Sequence, residues 1–404
     1  MSKLTKFEKL FMSSNVIMWT GSYVFDVILG LYIWQDTGSF RSLVIFKLGW
    51  VVGVLAGAII AILCLQKFLS VKIRTISIAL GAIFGLLILL VSVQTNMTLF
   101  VLGIVYGFKV GLGALPYNVI YQMQISAENR NVFSSMSNAL YKLLMIVFPF
   151  LVTQILDFTG NYDIAFVIGF VLCMISLFPL VSSNKFLKSE PKTKLDLGGT
   201  LREIKESKNL QNLLKLNLLQ GVYQGFTMTV LSVLGLYIIN DIGNWGIVTA
   251  VITIFSVAIY YSISKQIKFE KAPIAFAISS LVFSVVSILF AVNLGLITYI
   301  IFLLALAIKE SVNDRAYSEI SAKIIDRRVE DREHVDEFLF FSEIPLFLGR
   351  MIPILFLFIT NTSFEDTAGL SIVLLIVAFI PLSMTLIMER TALVKRFRDP
   401  FIYS

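Results

Sequence analysis

Apolar residues run along this chain in blocks of about twenty or more, set apart by short polar stretches. An α-helix rises about 1.5 Å per residue, so a block of about twenty residues spans the roughly 30 Å hydrocarbon core of a bilayer. Twelve blocks meet that length, at about 11–34, 42–65, 74–94, 98–122, 132–155, 162–183, 210–239, 245–264, 273–293, 296–319, 336–360 and 367–388. The fourth, tenth and eleventh are the least apolar. The seventh is longer than a bilayer needs and is expected to tilt or protrude. The first ten residues carry three Lys, but the block that follows is long enough to span and ends in no small-residue cleavage site. It reads as a retained first helix.

Composition excludes a soluble core. Hydrophobic residues make up 57% of the 404 and charged residues 15%, with a mean hydropathy of +0.86; a soluble domain carries about 25% charged residues. Cys64 and Cys173 lie far apart in apolar runs, without metal-ligand or redox spacing, and read as buried thiols. No phosphate-binding G-x-x-x-x-G-K-[ST] loop is present, which argues against a built-in ATPase. The single histidine, His334, sits in the charged stretch Asp326–Glu337 and reads as solvated, which weakens the case for a membrane-embedded enzyme.

Twelve spans put both termini and every even-to-odd connection on one side. Of the 33 Lys and Arg, 26 fall on that side (Arg74 and Lys215 counted there as span ends), six fall inside spans, and only Arg41 falls on the other. The opposite connections carry Asp36, Asp157, Asp163, Asp241, Glu365 and Asp366 instead. Basic residues mark the cytoplasmic side, so both termini are expected there, in a multi-pass protein of the plasma membrane. The net charge of +7 is thus a topology signal and calls for no nucleic-acid partner. The longest polar interruption, Ser182 to Asn209, divides the spans six and six. The expected organisation is a first bundle over 1–183, a cytoplasmic linker over 184–208 and a second bundle over 209–404. Within the linker Pro191–Gly199 reads as flexible chain and Leu201–Lys208 as a short surface helix.

In layout this chain resembles the major facilitator superfamily over nearly its whole length. The signature loop between helices 2 and 3, G-x-x-x-D-[RK]-x-G-[RK]-[RK], survives only as a basic remnant from Gln66 to Arg74, without its acid and glycines. The matching loop of the second half, Ser264–Lys268, is equally degraded. Ala127-Glu128-Asn129-Arg130 is similar to the E-x-R loop between helices 4 and 5, and Asp331–His334 occupies the matching place later on. Helix 5 has Pro149 but lacks the Gly-Pro motif of typical drug/proton antiporters. The resemblance implies an all-α integral membrane fold of twelve transmembrane helices in two six-helix bundles. It further implies a central cavity lined by helices 1, 4, 7 and 10, with helices 3, 6, 9 and 12 against lipid.

Ionisable side chains inside spans are costly and therefore face a cavity or a partner. Asp26 lies in helix 1, Lys109 in helix 4, Lys142 in helix 5, Lys309, Glu310, Asp314 and Arg315 in helix 10, and Glu343 and Arg350 in helix 11. Helix 7 supplies Asn217, Gln220, Tyr223 and Gln224. Helices 3, 6 and 9 carry no charge in their apolar stretches, which matches the cavity the resemblance implies. For Asp26 two readings stand: a proton-binding carboxylate, or a permanent ion pair with Lys109 or Lys142. The two lysines read either as attractors of an anionic group or as structural partners. Glu310 and Asp314 share a helix face, as do Glu343 and Arg350, and Tyr23 shares one with Asp26. Lys47 is expected to snorkel to the outer interface. Gly107, Gly111 and Gly113 form a small-residue face for close packing, and Pro116, Pro149, Pro345 and Pro353 are expected kinks.

The candidate substrate or ion site is therefore Tyr23, Asp26, Lys109, Lys142, Gln220, Gln224, Glu310, Asp314, Glu343 and Arg350. A monomeric, proton-coupled secondary transporter of a small organic solute, anionic or zwitterionic, is the leading expectation, with no cofactor or metal. The alternatives are an exporter of amphipathic drugs or lipids, and a sensor or assembly protein derived from a transporter.

Overall fold

The computed structural model describes residues 4–91, 95–187, 196–266, 272–328, 335–360 and 367–390. The first span is α1 (Lys6–Tyr23) and α2 (Leu29–Thr37), joined without a break by one π-helical turn, Val24–Ile28. There follow α3 (Phe40–Leu65), α4 (Ser70–Leu90), α5 (Asn96–Met123), α6 (Ala127–Thr159) and α7 (Tyr162–Ser183). A short helix, α8 (Leu197–Glu206), precedes α9 (Lys208–Ile239), α10 (Ile242–Gln266), α11 (Ala272–Val292), α12 (Leu296–Arg328), α13 (Val335–Thr360) and α14 (Thr367–Arg390). Among the described residues there is no strand, and twelve helices are long and apolar enough to cross a membrane.

Local chemistry sets the ends. Thr5 and Glu8 form a reciprocal capping box at the start of α1. Gly38 and Gly160 end α2 and α6 with positive φ, the left-handed conformation glycine adopts without a Cβ clash. Asp196 caps α8 by accepting from the Gly199 amide, so the helix begins earlier than the expected Leu201. Leu197–Gly199, read as flexible chain, are its first turn.

The chain forms two compact units: Met1–Leu195 with Asp241–Gly246, and Asp196–Asn240 with Ile247–Ser404. In the first, α1 packs on α6 and α7, and α4 packs on α5 and α7. In the second, α9 packs on α13 and α14, and α11 on α12 and α14. Counted by span, these are the same pairings repeated six helices later, as two repeats of one bundle would give. Both units expose long apolar side chains, such as Val52, Ile59 and Leu63 on α3 and Leu281, Val285 and Leu289 on α11. In water such a surface would drive association; against lipid chains it is matched.

The tightest packing joins α3 to α5. Gly49, Gly53 and Gly57 recur every fourth residue on α3, and Gly103, Gly107 and Gly111 do so on α5. A Cβ on any of these six would overlap backbone of the other helix: Gly53 meets the Ile104 carbonyl and Gly107 the Trp50 carbonyl. The pairing extends the close approach expected at Gly107 and Gly111 to two interlocked rows. In the second unit Gly221 on α9 and Gly349 on α13 approach each other in the same manner.

Candidate functional site

Asp26 lies inside the π-helical turn of the first span. Such turns carry one extra residue and re-aim the side chains around them. The residues of this span that line a cavity are Met18, Trp19, Ser22 and Asp26. Tyr23, expected beside Asp26, lies outside that lining; it is buried, and its hydroxyl has no hydrogen-bond partner among the described residues. One Asp26 carboxylate oxygen accepts from the Tyr106 hydroxyl of α5 at 2.8 Å.

Lys109 sits at the middle of α5, and only 3% of it is exposed. Its ammonium donates to Ser22 Oγ at 3.1 Å and lies 5.2 Å from the Tyr106 ring centroid. Gly81 on α4 leaves the space for this side chain, since a Cβ there would come within 2.8 Å of Lys109 Cε. Lys109 and Asp26 are within electrostatic range of each other, yet each is held by a neutral hydroxyl. Asp26 makes an ion pair with neither Lys109 nor Lys142 among the described residues. The permanent-pair reading is therefore not what the structure contains.

Arg74 corrects the sequence reading most sharply. Counted as a cytoplasmic span-end charge, it is instead a buried residue of α4, 5% exposed, reaching into the first unit. Its Nη1 donates to the Gly113 carbonyl at 2.8 Å and its Nη2 to Asn15 Oδ1 at 2.9 Å. The guanidinium also lies 5.4 Å from the Tyr117 ring centroid. Lys47 is likewise buried rather than snorkelling; its ammonium lies near the Phe46 and Trp50 rings and within electrostatic range of Asp26.

These groups surround a cavity of roughly 260 Å³, lined by Met18, Trp19, Ser22, Asp26, Arg74, Ser77, Tyr106, Lys109, Val110, Ala114, Tyr117 and Asn118. Its floor is fixed by short polar ties, among them Ser77 Oγ donating to the Lys109 carbonyl at 2.8 Å. Near one end of the same unit, Asn129 Nδ2 donates to both oxygens of the buried Glu8 carboxylate, at 3.1 and 2.8 Å. This joins the E-x-R-like segment at the start of α6 to the start of α1. Lys142 is half-buried on α6 and is not part of the cavity lining.

The second unit carries the remaining candidates. Arg350 on α13 donates from Nε and Nη2 to Gln224 Oε1 on α9, at 3.1 and 2.7 Å. Asn217 donates to the Ser342 carbonyl and accepts from the Tyr317 hydroxyl. The Lys309 ammonium lies over the Tyr223 ring. Gln220, Glu310 and Glu343 are half-buried on α9, α12 and α13. Asp314 lies on α12, but its side chain falls outside the described set, as does all of His334. Thus the structure brings Asp26 and Lys109 together in one unit and Gln224 and Arg350 in the other. No group of three or more His, Cys, Asp or Glu side chains able to hold a metal occurs among the described residues.

Several solved transporters have the same architecture. The POT family transporter PepTSo matches with a TM-score of 0.69 at 10% identity, over 99% of this chain and 99% of its own. The xylose transporter XylE from E. coli matches at 0.66 and 12% identity, over 95% and 97%. The nucleoside transporter NupG matches at 0.62 and 14% identity, over 99% of each chain. No family model matches the chain, and no curated protein does. Resemblance at these identities is one of fold. The chain adopts the twelve-helix, two-bundle fold of major facilitator transporters.

Proposed function

We propose that this protein is a secondary active transporter of a small organic anion or zwitterion, working by alternating access and driven by a proton gradient. The observation that carries this reading is the cavity of the first unit. It holds a buried ammonium and a carboxylate near the middle of largely apolar spans, and a buried guanidinium from near the start of α4. Fixed charge in an apolar interior is costly without a counterion, so a site of this kind is completed by what it binds. The cavity volume is near the lower end of the range for small-molecule sites, about 300–1,000 Å³. Further support comes from the fold, shared with transporters of nucleosides and of xylose; since their solutes differ, the fold leaves the solute class to the cavity.

Asp26 is the proton site in this reading. Tyr106, Lys109 and Lys47 are the polar and charged groups that act on it. A proton on Asp26 frees Lys109 from its field, and a bound anion then takes up that attraction. The test is uptake into liposomes of a panel of labelled organic anions and zwitterions, with and without an inward proton gradient. Accumulation that collapses with a protonophore is expected. Gradient-independent equilibration would remove the proton, and absence of flux for the whole panel would overturn the transporter reading.

A further inference from the structure

We propose that Arg74 and Lys109 together grip the carboxylate of a planar monocarboxylate, whose apolar part lies against Trp19, Tyr106 and Tyr117. This rests on the transport reading for its use, but as a binding site it can be tested apart from flux. The position of Arg74 is the starting point. It comes from α4, the third span, which the layout of the fold would turn to lipid, yet it lines the same cavity as Lys109. Two of its five N–H donors are engaged, by Gly113 and Asn15, and its Nε has no partner among the described residues. Lys109 uses one donor on a neutral hydroxyl and makes no ion pair among the described residues.

Charge and shape then select the ligand. The lining contains two cations and one acid, and the acid is already engaged by the Tyr106 hydroxyl. One positive charge is left over with Asp26 ionised, and two when it carries the coupling proton, so in either state an anion lowers the charge of the cavity and a neutral or cationic ligand does not. A guanidinium presents a planar fork that matches a carboxylate, while an ammonium supplies a compact point charge beside it. Trp19 and Tyr117 meet edge to face, 5.7 Å between centroids, forming an aromatic corner against which a ring or conjugated chain can pack. Both cations have space reserved for them: a Cβ at Gly113 would come within 2.6 Å of Arg74 Nη1, as one at Gly81 would press on Lys109.

The test uses the purified full-length chain and three probes of one shape and different charge: benzoate, benzamide and benzamidine. Thermal unfolding should be shifted upward, saturably, by benzoate alone. Lys109→Met and Arg74→Gln should each weaken the apparent benzoate affinity about tenfold or more, the loss of a charge-assisted contact. Lys215→Gln, at an exposed position of the other unit, should leave it unchanged. Should Arg74→Gln fail to fold, Arg74→Lys and the folded Lys109→Met variant carry the comparison. An equal shift by benzamide or benzamidine, no shift by benzoate, or full benzoate affinity in Lys109→Met overturns the proposal. Benzoate binding without uptake into liposomes sinks the transport reading and keeps the site. Uptake of another solute by a protein that does not bind benzoate does the reverse.

Discussion

Gly81→Ala and Gly113→Ala make a pair of single-methyl changes with opposite expectations. At Gly81 the new carbon would lie 2.8 Å from Lys109 Cε, the far end of a side chain that can swing aside. Alanine also gains up to about 1 kcal/mol of helix propensity over glycine. The melting temperature of Gly81→Ala should therefore change little, while the Lys109–Ser22 contact is lost and anion affinity falls several-fold. At Gly113 the carbon would overlap Ser77 Oγ and lie 3.1 Å from Ser77 Cβ, beside an Arg74 already anchored at both nitrogens. That change should lower stability by about 1–3 kcal/mol, read as a drop in the thermal midpoint. Equal stability losses would remove the distinction. Asp26→Asn keeps the size and the Tyr106 contact but removes the acid proposed to carry the proton, so proton-driven accumulation should vanish while solute exchange persists. Normal accumulation under a pH gradient would make Asp26 a positioning residue only. At this scale the sequence showed Asp26 and Lys109, because a charge inside an apolar run stands out. It hid Arg74, which lies four residues into α4 next to a basic loop and looks like a topology signal. It also offered Tyr23 and not Ser22: both share a helix face with Asp26, three and four residues away, and only the packing of α5 decides which of the two meets the cavity.

Between α3 and α5 the ladder leaves no room for any side chain. Gly107→Ala would force a methyl into the Trp50 carbonyl, and backbone cannot rotate away as a lysine can. The helices must separate, at a cost of about 1–3 kcal/mol or more. Gly198→Ala on α8, where a Cβ meets nothing closer than 3.7 Å, should be neutral or slightly stabilising. Thermal midpoints of the two variants decide the matter, and a neutral Gly107→Ala would show the pair to be loosely packed. All twelve spans were legible, some almost to the residue: the expected 162–183 is Tyr162–Ser183, whereas the expected 132–155 is Ala127–Thr159 and the expected 296–319 is Leu296–Arg328. Hydropathy and length suffice for that, because a lipid solvent demands long apolar helices. The glycine row of α3 carries no signal in the sequence alone, since spacing within one helix gains meaning only when its partner is known. The start of α8 was missed for a different reason. Asp196 as a cap outweighs two glycines that argue locally for a loop.

Over the whole chain, the proposed topology predicts which faces a membrane-impermeant thiol reagent can reach. In a background with Cys64 and Cys173 changed to Ser, cysteines at Asp157 and Asp241 should react from outside. Cysteines at Lys188 and Lys395 should not, because basic residues gather on the cytoplasmic side. The inverse pattern would reverse the orientation. The recurrence of helix pairings six spans later is what a six-plus-six layout leads one to expect, whereas the cavity of the first unit came from contacts among three separate spans. The interlocked glycine rows have a further consequence, for how this chain tolerates change. In a saturation library selected for folded protein, the steepest intolerance should fall on six positions that bear no side chain and touch no solute. The outward faces of the same helices should accept almost any apolar replacement. A screen for lost transport would thus return two kinds of variant, absent protein from the glycine rows and silent protein from Lys109, Arg74 and Asp26, and an antibody against the chain would tell them apart.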